Sequence, residues 1–67
     1  MKLLRYNNRK VRLIDTDNEV YEGMAYYEDA DTAGENEDIL TIETNNLGYT
    51  KYLDLFESDI KSIEIID

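Results

Sequence analysis

A single glycine in the middle of an aromatic, β-branched segment constrains this chain more than any other feature. Residues 20–27 read Val-Tyr-Glu-Gly-Met-Ala-Tyr-Tyr, a composition that favours a long β-strand. A glycine inside a strand marks a bend or the close approach of another backbone segment. Because strand bends let a short chain curl its sheet around a core, we expect a small sheet to bend at Gly23.

Four further segments have the period-two alternation or the β-branched composition of short strands. They are residues 10–15, 39–43, 50–56 and 60–66. Polar residues that favour turns separate the segments, at 7–8, 15–19 and 44–48, with a short link at 57–59. The chain has no proline and no sustained helical period. This pattern predicts one all-β domain over residues 1–67, a small five-stranded, strongly bent antiparallel barrel. A short helical turn, or an arm lying across the barrel, is expected before the first strand.

Alternation also predicts which side chains share a face, because residues two apart in a strand point the same way. Four apolar pairs have this spacing: Val11 with Leu13, Leu40 with Ile42, Leu53 with Leu55, and Ile63 with Ile65. We expect the second pair to point inward. Both faces of residues 20–27 are partly apolar, so no single inner face is predicted for that strand.

Charge is divided unevenly along the chain. The net charge is −9, from sixteen acidic and seven basic residues. Five of the bases lie within the first twelve residues: Lys2, Arg5, Arg9, Lys10 and Arg12. The acidic remainder repels the phosphate backbone that dominates nucleic-acid affinity, so nucleic acid is a disfavoured ligand. The same acidity keeps a small sheet protein from self-associating.

The stretch 28–38 carries six carboxylates and no base. Because like charges repel, we expect a mobile loop. Its residues 29–35 resemble the start of a calcium-binding loop, but Ala33 and Leu40 stand where such a loop needs oxygen ligands. We expect a solvated acidic loop without a specific metal site, and leave weak binding of a divalent ion open.

The chain has few of the groups that catalysis uses. It has no histidine or cysteine, and Ser58 and Ser62 have no evident base, so we expect neither enzyme activity nor a cofactor. It lacks the run of roughly 20 apolar residues that a membrane-spanning helix needs. Residues 1–5 also lack the apolar core of a signal peptide. We expect a cytoplasmic protein that does not associate with membranes.

Six tyrosines are more than so small a core can enclose. Exposed tyrosines are ordinary on strands, and they are also typical of protein-binding surfaces. The candidates for such a surface are Tyr26, Tyr27, Tyr49 and Tyr52. An acidic surface of this kind suits a protein partner whose own surface is basic.

Two segments resemble the conserved motifs of the Sm-like (LSm) proteins. Residues 9–15, together with Tyr21-Glu22-Gly23 and Asp29, are similar to the first motif, and residues 55–63 are similar to the second. The resemblance implies a strongly bent, five-stranded barrel of the Sm-like or SH3-like kind, usually preceded by a helix. It also implies rings joined through the fourth and fifth strands, and binding of uridine-rich or adenine-rich RNA.

Most of the RNA-binding residues that the resemblance implies are replaced. Asp29 matches the aspartate of the first motif, but Ala33 stands at the position of the base-reading asparagine, and Asn36 substitutes only if the loop refolds. Phe56 and Glu57 stand where an arginine and a glycine are implied. Phe56 can stack on a base or pack in the core. Glu57 would repel a phosphate group.

The sequence therefore supports two hypotheses of different classes. The first is a non-enzymatic, acidic protein-interaction module that binds a basic partner protein. The second is an RNA-binding ring in which the basic arms of several subunits gather on one rim. Its RNA contacts would be Asp29, Asn36, Phe56, Arg9 and Lys10. We favour a monomer over a ring, because a charge of −9 on each subunit opposes assembly.

Overall fold

Five antiparallel strands form one sheet in the computed structural model of the chain, which describes residues 1–46 and 48–67. The strands are β1 (Arg9–Asp15), β2 (Val20–Glu28), β3 (Ile39–Asn46), β4 (Tyr49–Phe56) and β5 (Ile60–Ile65). Their order in the sheet is β4-β3-β2-β1-β5. Three short helical elements accompany them: a first 3₁₀ turn (Leu3–Tyr6), α1 (Ala30–Ala33) and a second 3₁₀ turn (Glu57–Asp59). The predicted antiparallel, five-stranded fold with an N-terminal helical turn is confirmed.

The sheet bends where β2 and β3 separate at Gly23. β2 pairs with β1 from Val20 to Ala25, whereas its pairing with β3 begins only at Met24, opposite Glu43. Beyond Glu43, β3 continues beside β4 alone. A Cβ atom on Gly23 would overlap the carbonyl oxygen of Glu43. Only glycine lets the two strands approach in this way, in agreement with its predicted place in the bend.

The bend brings the two ends of the sheet towards each other. The second 3₁₀ turn joins β4 to β5, and Thr16 in the first hairpin donates its N–H to the Asp59 carbonyl in that turn at 3.0 Å. Within the described residues, however, β4 and β5 are not paired with each other. The far halves of β3 and β4 extend past the bend as a hairpin of their own. Closure of the predicted barrel is therefore not observed, and the sheet is strongly bent but open.

The core lies on the inner face of the sheet and under the first 3₁₀ turn. Its buried apolar residues are Leu3, Tyr6, Val11, Leu13, Ala25, Leu40, Ile42 and Ile60. Five partly buried side chains pack against them: Tyr21, Tyr27, Leu55, Ile63 and Ile65. The inward position predicted for Leu40 and Ile42 is confirmed, since both are fully buried. Removal of this apolar surface from water stabilises the fold by roughly 25 cal/mol for each Å².

Asparagine residues occupy two of the predicted turns in the left-handed conformation. Asn8 has φ 60° and Asn18 has φ 66°. In the first hairpin, the buried carboxylate of Asp15 accepts hydrogen bonds from the N–H groups of Asp17 and Glu19, each at 2.9 Å. These bonds hold the β1–β2 turn in place, as expected of an aspartate at the start of a turn.

The acidic stretch 28–38 contains a helical turn that we did not predict. It contains α1 (Ala30–Ala33), which has Asp29 as its N-terminal cap and Gly34, a residue in the left-handed conformation with φ 70°, as its C-terminal cap. The Asp29 carboxylate accepts the Thr32 N–H at 2.7 Å, and the Asp38 carboxylate accepts the Ala30 N–H at 2.9 Å. The expectation of a loop without regular structure is wrong for residues 30–33, because caps at both ends of the helix offset the charge repulsion. The mobility of the segment stays a prediction.

β3 is longer than predicted. It extends to Asn46, because Thr44 and Asn45 pair with Lys51 and Thr50 of β4. The turn predicted at 44–48 is correspondingly shorter, and its Gly48 has φ 83°. Leu47, which the prediction also placed in this turn, lies outside the described residues.

Gly23→Ala is expected to cost more than about 3 kcal/mol, because the new methyl group would occupy the position of a backbone carbonyl oxygen. Gly34→Ala is the control: its Cβ would meet no atom within 4 Å. The cost of that variant is confined to its left-handed backbone, about 1–2 kcal/mol. Urea unfolding followed by circular dichroism compares the two variants. Equal losses of stability would contradict the contact at Gly23.

Candidate protein-interaction surface

The outer face of β2, β3 and β4 brings tyrosines and carboxylates together. The strand register places Tyr26 opposite Thr41, Thr41 opposite Asp54, and Glu43 opposite Tyr52. Residues that are paired across antiparallel strands share a face of the sheet. We name these five residues the tyrosine–acid face. Tyr52 is 62% exposed and Tyr26 is 36% exposed, so both rings are accessible to a partner.

The two carboxylates of the tyrosine–acid face accept hydrogen bonds from neutral hydroxyl groups. The Tyr26 hydroxyl donates to Glu43 Oε2 at 3.3 Å, and the Thr41 hydroxyl donates to Asp54 Oδ1 at 2.6 Å. Neither carboxylate takes part in a salt bridge within residues 1–46 and 48–67. Both carboxylates are therefore bonded to hydroxyl groups, and no cation of the described residues is within salt-bridge distance of either, although Lys10 lines one cleft with Glu43.

The environment of Tyr26 keeps its hydroxyl neutral. Partial removal from water raises the pKa of Tyr26, and the negative charge of Glu43 raises it further. The phenol is therefore a hydrogen-bond donor at neutral pH, and it holds the Glu43 carboxylate beside the two rings.

Carboxylates around β1 and β5 are matched by arginines. Arg12 donates to Glu22 at 2.8 Å and to Glu64 at 2.9 Å. Arg9 makes two hydrogen bonds to the Asp67 carboxylate, at 2.9 and 2.8 Å. The bond from Arg9 lowers the pKa of the Asp67 carboxyl to about 2, and these contacts raise the pKa of both arginines. On the outer face, the carboxylates of Glu22 and Glu64 are thus paired with Arg12, whereas those of Glu43 and Asp54 are in no salt bridge among the described residues. Arg9 stands opposite the buried Ala25 and is not part of this face.

Tyr27 and Tyr49, which we predicted for the same surface, lie elsewhere. Tyr27 is on the inner face, opposite Leu40, and its hydroxyl donates to the Asp38 carboxylate at 3.0 Å. Tyr49 is 59% exposed and lines a cleft of about 450 Å³ that opens where β2 and β3 separate. Of the four predicted tyrosines, the structure places Tyr26 and Tyr52 on one surface.

Thr41, Glu43 and Asp54 were not among the predicted site residues. Their position beside the tyrosines depends on the register of β3 against its neighbours. The available signal was alternation, since Thr41 and Glu43 share a face of one strand, as Tyr52 and Asp54 do in the next. Alternation within single strands does not specify which residues stand opposite one another.

Two of the five residues expected at an RNA site, Asp29 and Arg9, are engaged in other contacts. Loop 29–38 packs against the second 3₁₀ turn, where the Ser58 N–H and hydroxyl donate to the Glu37 carboxylate at 2.8 and 2.9 Å. Asp29 caps α1, and the hydrogen bond from Thr32 lowers the pKa of its carboxyl. Phe56 is half-buried at the end of β4, and Asn36 is exposed.

Arg9 and Lys10 begin β1, opposite Ala25 and Met24 of β2. The guanidinium of Arg9 is held by Asp67. Lys10 is exposed, and its ammonium is not in a salt bridge with any described residue. Only one of these two predicted bases therefore has a charge available to a phosphate group.

No protein-family model, curated protein or solved structure matches the chain. Among the described residues, no helix has the length and apolar character needed to cross a membrane. In the same residues, no three histidine, cysteine, aspartate or glutamate side chains are grouped as a metal site requires.

Glu43→Gln should lower the pKa of Tyr26, because the negative charge of Glu43 disfavours the tyrosinate form. An alkaline titration followed by NMR of the tyrosine ring carbons measures this pKa. Glu64→Gln removes the same charge beside Arg12 and is the matched control, with no expected effect on Tyr26. An unchanged pKa of Tyr26 in the Glu43 variant would contradict the contact.

Proposed function

We propose that the chain is a non-enzymatic, acidic protein-interaction module whose tyrosine–acid face binds a partner protein with a basic surface. One observation carries this proposal. Two exposed tyrosines stand beside two carboxylates, Glu43 and Asp54, that have no cationic partner among the described residues.

Tyrosines and carboxylates would contribute to binding in different ways, the tyrosines through contact area and the carboxylates through charge. Tyrosine brings a large, rigid contact area at a low cost in side-chain entropy. Lysine or arginine from a partner would add to Glu43 and Asp54 hydrogen bonds in which both the donor and the acceptor are charged. Carboxylates already bonded to an arginine, such as Glu64, gain less from an added cation.

The charge of the whole chain supports the same partner class. A net charge of −9 attracts a basic protein over several ångströms, which raises the association rate more than the affinity. We place this encounter in the cytoplasm, because small extracellular domains usually depend on disulfides and this chain has no cysteine.

Isothermal titration calorimetry with a lysine-rich peptide tests the proposal. We expect binding at low salt that weakens as salt is added, because exposed charges are screened. Tyr52→Ala and Glu43→Gln should each weaken binding by about fivefold, as for residues near the centre of an interface. Glu64→Gln changes the net charge equally and should bind the peptide as the wild type does.

Absence of binding at low salt would rule out the module. Equal weakening by Glu43→Gln and Glu64→Gln would show that the peptide responds to net charge alone. That result would contradict the assignment of the tyrosine–acid face.

A second candidate function is an RNA-binding ring of the Sm-like kind. The sheet order favours it, because β4 and β5 are the outermost strands, and these are the strands that the resemblance implies as subunit contacts. The ion pairs of Arg9 and Arg12 oppose it, because they engage two of the five bases of the N-terminal arm. Glu57 beside Phe56 opposes it as well, through repulsion of phosphate.

Light scattering and fluorescence anisotropy decide between the two candidates. We expect a monomer at several salt concentrations, and dissociation constants for oligo-U and oligo-A weaker than about 100 μM, the limit of the non-specific range. A ring in solution that binds either RNA more tightly would reverse this ranking.

A further inference from the structure

β4 has an unpaired backbone edge next to the tyrosine–acid face. Each of its eight residues stands opposite a residue of β3. On its other side, no strand of the described chain is hydrogen-bonded to it. The outward N–H and C=O groups of such an edge can pair with another extended segment. The chain has no proline that would interrupt this pairing.

The two faces of β4 differ along this edge. Tyr52 and Asp54 are exposed on the outer face, whereas Leu53 and Leu55 are half-buried on the inner face. Side chains of an added strand would also alternate between these faces. Lysine or arginine fits beside Asp54 through charge and beside Tyr52 through a cation–π contact. Apolar residues fit beside the two leucines, where they would extend the core.

The other edge of the sheet, β5, is less suited to a basic strand. β5 carries Lys61, whose ammonium donates to Asn18 at 2.6 Å. The carboxylate of Glu64 on the same strand is bonded to Arg12 at 2.9 Å. A basic segment beside β5 would meet a lysine and a carboxylate that is already paired. β4 carries a lysine as well, but Lys51 alternates with Tyr52 and Asp54 and therefore lies on the opposite side of the strand. Asp54 has no cationic partner among the described residues, whereas Glu64 has one, so charge favours the outer face of β4 over that of β5.

We propose that the partner binds as an extended segment added to β4, with lysine or arginine at every second position and apolar residues between them. This inference rests on the proposed function and specifies how the basic partner is held. Backbone hydrogen bonds to β4 would set the register of the segment. Asp54 and Tyr52 would select its basic residues, and Leu53 and Leu55 its apolar ones.

The probe is a short synthetic peptide in which lysine and valine alternate, compared with two N-methylated forms. One form carries methyl groups on the backbone nitrogens of its lysine residues. The other carries them on the backbone nitrogens of its valine residues. In an added strand, the N–H groups of one set face β4 and those of the other set face solvent. One methylated form should therefore bind at least about tenfold more weakly than the other, through loss of several hydrogen bonds.

Amide hydrogen exchange locates the peptide. On addition of the unmethylated peptide, exchange should slow at alternate residues of β4 and stay unchanged in β5. Equal binding of the two methylated forms, with the affinity of the unmethylated peptide, would overturn strand addition and leave the proposed function intact. Protection of β4 that grows with protein concentration in the absence of peptide would assign the edge to a second copy of the chain, and would also overturn it. Failure of every lysine-rich peptide to bind would instead remove the proposed function itself.

Discussion

The rest of the sheet depends on the approach of the Glu43 carbonyl oxygen to Gly23, in space that a Cβ atom would otherwise fill. Beyond this contact β2 remains paired with β1 and β3 remains paired with β4, but β2 and β3 are no longer paired with each other. The sheet therefore bends at this point. The bend encloses Leu40 and Ile42 on the inner face. The same residue serves the outer face, since the Glu43 carboxylate accepts the Tyr26 hydroxyl. Glu43 therefore takes part in the bend through its backbone carbonyl and in the candidate binding surface through its carboxylate.

The distribution of charge within the fold sets the proposed binding surface apart from the general acidity of the chain. A net charge of −9 alone indicates solubility. The fold separates this charge into carboxylates that an arginine neutralises, such as Glu22 and Glu64, and carboxylates that it does not, such as Glu43 and Asp54. Glu43 and Asp54 stand beside exposed tyrosines, and Asp54 also lies on the edge strand β4. These neighbouring features support our proposal of a basic protein segment as the ligand.

Strand positions and inward residues were predictable, because alternation is a local property that each strand carries by itself. The burial of Val11 and Leu13 follows from their spacing. The sequence did not predict α1, because the run of acidic residues favours a loop. The helix is stabilised by its two caps, Asp29 and Gly34. The composition of the tyrosine–acid face was only half predictable. The tyrosines are visible in the sequence, but which carboxylates stand beside them depends on a register that forms only when the sheet is assembled.

An NMR measurement of cross-strand contacts tests the separation of β2 from β3 most directly. In a flat sheet the register that pairs Met24 with Glu43 would continue to Glu22 opposite Asn45. A bent sheet instead lacks close Hα–Hα contacts between those two residues, and the Thr16 amide is protected by the Asp59 carbonyl at 3.0 Å. Close contacts between Glu22 and Asn45, with rapid exchange of the Thr16 amide, would contradict the bend and the surface that it creates.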